Sequence, residues 1–150
     1  MKSLKFLTYF FAAITLLSFT GCDKDDEDKE PSKTDLLTAA TWTGSAIYAN
    51  GMNISEDFIE AFGYDITKNT IKFDKAGSYA DRYENQTLTG IWEFTNNEQA
   101  ILFDKNDPDD RYTATITKLD NKELFLQQPI EFEDLGGNLV TVNLEVRYSR

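Results

Sequence analysis

The stretch Val140-Thr141-Val142-Asn143-Leu144-Glu145-Val146-Arg147-Tyr148 decides the fold of this protein. Apolar and polar side chains alternate through all of it, which is the period of a strand with one buried and one exposed face. It follows Gly136-Gly137-Asn138, a combination typical of hairpin turns. The stretch therefore predicts an antiparallel strand that closes the chain's last hairpin.

Seven earlier segments show the same kind of alternation between short turns. They are residues 42–49, 70–74, 78–82, 88–94, 100–104, 111–119 and 123–128. Pro129 is expected to end the last of these or to mark a sheet edge, because proline cannot donate to a ladder of hydrogen bonds. Eight strands in sequence must close or fold over to hide their apolar faces and edges. The sequence therefore predicts an all-β fold, an eight-stranded antiparallel up-and-down barrel.

In two of the predicted strands, the alternation predicts which side chains lie on the same side. In residues 42–49, the residues Trp42, Gly44, Ala46 and Tyr48 share one side. In residues 88–94, the residues Leu88, Gly90, Trp92 and Phe94 are expected to face inward.

A short helix is expected between the first and second strands, within residues 53–63. Asn53 or Ser55 would cap its start, Gly63 would end it, and Phe58, Ile59 and Phe62 would share one side. Two interpretations remain open. The helix is a lid over the mouth of a barrel with a cavity, or a plug in a barrel that is already full.

Several short motifs add a family resemblance across residues 35–150. They are Leu-x-x-x-x-Trp (37–42), Ile-x-Phe-x-x-x-Gly-x-Tyr (71–79), Gly-x-Trp-x-Phe (90–94) and Ile-x-x-Leu-x-x-x-x-Leu (116–124). This pattern resembles the lipocalin-like domains of bacterial lipoproteins, although the first strand lacks their Gly-x-Trp triplet. The resemblance implies a lid over the open mouth. It also implies an arginine that caps Trp42 at the closed end, for which Arg147 and Arg150 are the candidates and parity favours Arg150.

Five aromatic residues are expected at the edge of the mouth: Tyr48, Phe58, Phe62, Tyr83 and Tyr112. On this interpretation the barrel binds a small apolar or amphipathic ligand or a glycan. The alternative is a filled barrel that acts through its outer surface as an accessory or interaction subunit of a cell-envelope complex. A cavity of about 300 Å³ or more would favour ligand binding.

The N-terminal residues predict where in the cell the protein is located. Lys2 and Lys5 precede an apolar run, residues 6–19, and Gly21 stands before Cys22. The run is too short for a membrane span of about 20 residues. These features resemble the lipobox of bacterial lipoproteins, which implies a signal peptide at 1–21 and both diacylglycerol and an amide-linked acyl chain, such as palmitate, on Cys22. The other interpretation is a free or buried thiol.

Residues 22–34 are expected to form the lipidated cysteine and an acidic, disordered tether, because 23–34 contain no apolar side chain for a core. The start of the tether, Asp23-Lys24-Asp25-Asp26-Glu27, resembles the lipoprotein export signal of certain Gram-negative bacteria. The expected location is thus the outer membrane, at the cell surface; the alternative is the inner leaflet of that membrane.

Charge and composition exclude several classes of function. Residues 35–150 carry a net charge of −10, which disfavours nucleic acid as a partner. The chain has no histidine and a single cysteine, Cys22, so neither a Ser-His-Asp triad nor a thiolate or imidazole metal site can be built. No carboxylate pair stands out, and we expect neither an enzyme nor a cofactor. Asp104, Asn106 and Asp110 could contact calcium, although a solvated loop is the favoured interpretation.

Overall fold

The computed structural model describes residues 30–133 and 136–150, apart from the side chain of Phe132. The predicted signal peptide, Cys22 and the acidic segment 23–27 lie outside the described residues. Within the described part of the chain, no helix combines the length and the apolar character that a membrane crossing needs.

The described residues form two α-helices, one 3₁₀ helix and nine strands. They are α1 (Lys33–Thr38), β1 (Thr41–Ala49), β2 (Met52–Asn53), α2 (Ser55–Phe62), the 3₁₀ helix (Ile66–Lys68), β3 (Asn69–Phe73), β4 (Ser78–Tyr83), β5 (Gln86–Thr95), β6 (Ala100–Phe103), β7 (Tyr112–Leu119), β8 (Glu123–Glu133) and β9 (Leu139–Ser149). All eight predicted strands are present, and α2 lies where the helix was expected. The helix α1 includes the last two residues of the predicted tether, Lys33 and Thr34.

The strands close into an eight-stranded antiparallel barrel. From β3 to β9 each strand pairs with the next along the chain, and β1 pairs with both β3 and β9. The two-residue strand β2 adds only a short pairing to the end of β1. The predicted fold class is thus confirmed, including the helix after the first strand.

Trp42 marks the closed end of the barrel. Its side chain is fully buried, and its indole N–H donates to the carbonyl oxygen of Leu37 at 2.8 Å. The guanidinium carbon of Arg150 lies 4.4 Å from the centre of a Trp42 ring, and its Nη1 donates to the Leu36 carbonyl at 3.1 Å. Arg150 rather than Arg147 therefore caps the tryptophan, as parity indicated.

Aromatic side chains fill the interior next to this end. Phe73 packs edge-on against Trp92, with 5.5 Å between ring centres, and Tyr79 packs edge-on against Phe103 at 5.2 Å. Edge-to-face pairs at such distances add to the stability gained by burial. These aromatic side chains form part of the packed core of the barrel.

A bulge in β1 corrects the predicted sides of this strand. The pairing with β9 shifts between Gly44 and Ala46, so that Ser45 is an extra residue. A single extra residue exchanges the two sides of a strand. After the bulge Ile47 faces inward and Tyr48 faces outward. The expectation that Tyr48 shares the side of Trp42 is therefore wrong.

Two further expectations are refined. Pro129 does not end its strand, since β8 continues to Glu133. It marks an edge instead: β7 pairs with β8 only as far as Gln127, and beyond that residue β8 pairs with β9 alone. The N-cap of α2 is Ile54, without a side-chain cap, and Asn53 instead accepts hydrogen bonds from the backbone N–H and hydroxyl of Ser55.

Candidate functional site at the open end of the barrel

The open end lies opposite Trp42, where β8 and β9 extend beyond their neighbours. Residues 128–133 of β8 pair with residues 139–144 of β9. The inward-facing residues of this projecting hairpin include Ile130, Val142 and Leu144. The hairpin therefore forms one wall of a space that the barrel strands alone would leave open.

The helix α2 lies over this wall, and between them is a partly open cavity of about 420 Å³, here called the mouth cavity. All of its lining residues are apolar: Ala49, Ile54, Phe58, Phe62, Ile130, Val142 and Leu144. Such a lining offers no hydrogen bond to a ligand. The cavity thus favours an apolar group, and its volume falls within the usual range of small-molecule sites.

The position of α2 distinguishes a lid from a plug. None of its residues is buried, and Phe62 is 73% exposed. Phe58 and Phe62 lie against each other, with 5.1 Å between ring centres, on the side that lines the cavity. A plug would bury these rings in the core. The helix therefore covers the mouth rather than filling the barrel.

Both ends of α2 are held by hydrogen bonds to the barrel. At its start, the hydroxyl of Ser55 accepts from the backbone N–H of Ile47 in β1 at 2.9 Å. After its end, the hydroxyl of Tyr83 donates to the carbonyl of Gly63 at 3.2 Å and accepts from the N–H of Asp65 at 3.0 Å. The cover thus has one attachment to β1 and one to β4.

A second, smaller cavity of about 70 Å³ lies deeper in the barrel and is here called the inner chamber. Its polar lining residues are Asp81, Tyr112, Gln128 and Tyr148. Its apolar lining residues are Ile71, Phe103, Ala114, Leu126 and Val146. A space of this size can hold a few water molecules or a small polar group.

The electrostatics of the inner chamber are set by Asp81. Burial raises the pKa of this half-buried carboxyl, and a hydrogen bond from the Asn69 amide at 2.5 Å opposes that shift. Burial together with the charge of Asp81 raises the pKa of Tyr112 to about 12 and lifts that of Tyr148 well above its usual value. The phenols therefore stay neutral while the carboxyl is the acidic group.

The two cavities adjoin along β8 and β9. Gln128 and Val146 line the inner chamber, and Ile130 and Leu144 line the mouth cavity. Gln128 and Ile130 are two residues apart in β8, and Val146 and Leu144 are two residues apart in β9. In each strand this spacing is about 6.6 Å along the same face. One wall thus runs from a polar chamber to an apolar mouth.

The five predicted mouth residues occupy four different places. Phe58 and Phe62 line the mouth cavity, and Tyr112 lines the inner chamber. Tyr83 lines neither cavity, since its ring stacks on Tyr64 and its hydroxyl holds the loop after α2. Tyr48 lies on the outer face, where the guanidinium carbon of Arg147 is 3.7 Å from the centre of its ring.

Sequence reasoning missed the polar group of the chamber. Asp81 and Tyr79 lie on the same side of a predicted strand. An acidic residue on the inward side of a strand could have indicated a polar group in the interior. Val142 and Leu144 were placed on the apolar side of the last strand, but nothing local shows that they line a cavity. Leu88 faces the same side as Asp81, with which it pairs, yet it is 71% exposed because it lies at the rim.

The loop 104–110 shows a structural role for Asp104. One carboxylate oxygen accepts from the hydroxyl of Tyr79 at 2.6 Å, and the other accepts from the N–H of Ile91 at 3.0 Å. Within residues 30–133 and 136–150, no three acidic side chains are grouped so as to hold a metal ion. Asp104 thus joins the loop to β4 and β5.

Comparisons with known proteins give little beyond this description. No protein-family model and no curated sequence matches the chain. A solved structure of a DUF4847 family protein from Bacteroides vulgatus ATCC 8482 is similar over 79% of this chain and 96% of that chain, with 11% identity and a TM-score of 0.46. At this level the similarity supports no statement about function.

Proposed function

We propose that this protein is a lipid-anchored binding protein of the outer membrane, exposed at the cell surface, whose barrel holds a small apolar or amphipathic ligand. The observation that carries the proposal is the mouth cavity of about 420 Å³ under α2. Its volume exceeds the roughly 300 Å³ expected of a ligand site, whereas a barrel that acts only through its surface needs no such cavity.

The lining favours apolar groups over a glycan. A sugar in the mouth cavity would lose the water around its hydroxyl groups and find no partner for them, at a cost of about 1–3 kcal/mol for each buried hydroxyl. An alkyl or aromatic group gains about 0.8 kcal/mol for each methylene buried. The ligand is therefore an apolar or amphipathic molecule, bound without chemical conversion.

The geometry of attachment agrees with this role. The helix α1 connects to the barrel at the closed end, where Asp35 Oδ1 and Lys75 Nζ form a salt bridge at 2.5 Å. Residues 23–32 before α1 can span at most about 35 Å when extended. A lipid anchor on Cys22 would thus be connected to the barrel through α1, which joins it at the closed end.

A second candidate function rests on the exposed apolar residues of the open end. Met52, Ile59, Phe62 and Leu139 are all exposed there. Exposed apolar side chains that lie close together often mark contacts with another protein. On this view the open end docks to an envelope protein. In that case substitution of Val142 or Leu144 would leave docking unchanged, because these two residues line the mouth cavity and are not among the exposed apolar residues.

Binding of the uncharged fluorescent probe N-phenyl-1-naphthylamine tests the proposal. We expect saturable binding by the protein, and an affinity that falls about 10-fold in the Phe58→Ala/Phe62→Ala variant because both aromatic rings that α2 contributes to the cavity are lost. Met52→Ala is the matched control, since Met52 is 69% exposed near the same end but does not line the cavity. Equal loss in both variants, or no saturable binding by the unsubstituted protein, would contradict the proposal.

A further inference from the structure

Polar groups in and beside the inner chamber have no partner within the barrel. Tyr148 is 7% exposed and lines the chamber, and its hydroxyl has no hydrogen-bond partner among residues 30–133 and 136–150. Beside the chamber, the Oδ1 atom of Asn69 is buried without a partner, and the amide nitrogen of the same side chain donates to Asp81. Unpaired polar groups are rare inside proteins, and a water molecule or a ligand group in the chamber would supply the partner for Tyr148.

The chamber also contains a carboxylate without a counter-ion. The salt bridges in the described part of the chain involve Asp35, Glu84, Glu93, Asp120, Glu123 and Glu145. None of them involves Asp81, although its carboxyl is half-buried. Buried charges are usually paired. A positive group within the chamber would therefore complete the arrangement.

We infer that the inner chamber binds the protonated amine of an amphipathic ligand, with Asp81 as counter-ion and the hydroxyls of Tyr112 and Tyr148 as hydrogen-bond acceptors. This inference rests on the proposed function and specifies its ligand class. The apolar part of the same molecule occupies the mouth cavity, which adjoins the chamber along β8 and β9. Three acceptors of hydrogen bonds match the three N–H groups of a primary ammonium.

The same chamber disfavours a fatty acid. A ligand carboxylate would lie beside Asp81, and like charges in a partly buried site repel each other. No lysine or arginine lines the chamber to offset that repulsion. The chamber thus discriminates by charge, while the mouth cavity accepts any apolar chain of suitable size.

Three ligands with the same alkyl chain test the inference: dodecylamine, dodecanol and dodecanoate. Calorimetric titration below the micelle concentration of each should give the order amine, alcohol, acid. We expect the amine to bind about 10- to 100-fold more tightly than the alcohol, the range for a charge-assisted hydrogen bond in a partly buried site. Equal binding of all three would overturn the inference and leave the proposed function standing. Absence of binding by all three would overturn both.

The variant Asp81→Asn separates the chamber from general attraction to an acidic protein. It retains an oxygen to accept the bond from Asn69, so the fold is expected to survive. Its affinity for dodecylamine should fall to that for dodecanol, while dodecanol binding stays unchanged. Glu60→Gln is the control, because Glu60 is an exposed acid on α2 and does not line either cavity. If Glu60→Gln weakens amine binding as much as Asp81→Asn, the amine is attracted by net charge and the inference fails.

Discussion

Asp81 is an ionisable residue that lines the barrel interior. Folding removes part of the water around its carboxyl group. That burial raises the pKa of Asp81, and the hydrogen bond from Asn69 only partly offsets the shift. Since the folded state holds the proton more tightly than the unfolded chain, protonation favours folding. This contribution is fully present below about pH 4, the unfolded pKa, and is lost as the pH rises through the folded pKa.

Replacement of Asp81 by asparagine should therefore stabilise the protein at neutral pH. At pH 7 the amide avoids the cost of a half-buried charge, and the Tm of Asp81→Asn should exceed that of the unsubstituted protein. The difference should shrink as the pH falls toward 4, where aspartic acid is also neutral. Thermal unfolding between pH 4 and 8 measures both effects. A lower Tm for Asp81→Asn at pH 7 would show that the carboxylate is needed for folding.

Trp42 and Arg150 show how far residue identity alone can predict a contact. Parity placed Arg150 on the inward side with Val146 and Tyr148, and the resemblance supplied the tryptophan as its target. The structure confirms the contact and adds the hydrogen bond to Leu36 in α1. The sequence did not predict the helix α1, because it has only six residues and shows no helical pattern. The cap from Ser32 and the burial of Leu37 stabilise it in the folded protein.

Among the elements, β1 departs most from what its sequence indicates. Ala46, Ile47, Tyr48 and Ala49 are apolar or aromatic on both sides of the strand, so alternation cannot show where the bulge at Ser45 changes sides. Before the bulge the 3₁₀ helix lies directly against the strand. A Cβ atom on Gly44 would stand 2.2 Å from the carbonyl oxygen of Ile66. The glycine is required for this close approach.

The substitution Gly44→Ala should destabilise the protein by about 2 kcal/mol, because backbone atoms of the 3₁₀ helix must move. Urea unfolding measures the change. Gly63→Ala is the control: its added methyl meets open space, but its φ of +67° is left-handed, and we expect a loss of about 1 kcal/mol. If both variants lose the same amount, contact with Ile66 is not what selects glycine at position 44.

For the whole molecule, the proposed cellular location depends on residues 22–27, and the proposed ligand binding depends on the barrel. The location and the ligand binding can therefore be tested separately. Three acyl chains on Cys22 would bind a membrane far more tightly than the marginal binding of one chain. The tether next to them carries the acidic residues of the proposed export signal.

Substitutions in this segment should change location without changing the fold. Cys22→Ser should release the protein from the membrane fraction, because no lipid can attach. Replacement of Lys24–Glu27 by alanine should keep the protein in the membrane fraction but abolish antibody labelling of intact cells. Fractionation and surface labelling measure the two effects, and far-UV circular dichroism checks the barrel. Unchanged labelling of the alanine variant would contradict the export signal.

The class of fold and the order of the strands follow from local sequence, since alternation with a period of two and turn residues at short intervals act within each hairpin. The position of α2 was also predictable from its apolar side and Gly63. The bulge at Ser45, the extension of β8 beyond Pro129 and the cavity beneath α2 follow from how distant segments meet. Asp81 and Tyr148 are 67 residues apart in the chain, and only closure of the barrel brings them into one chamber. No local pattern contains that information, because it depends on which strands become neighbours.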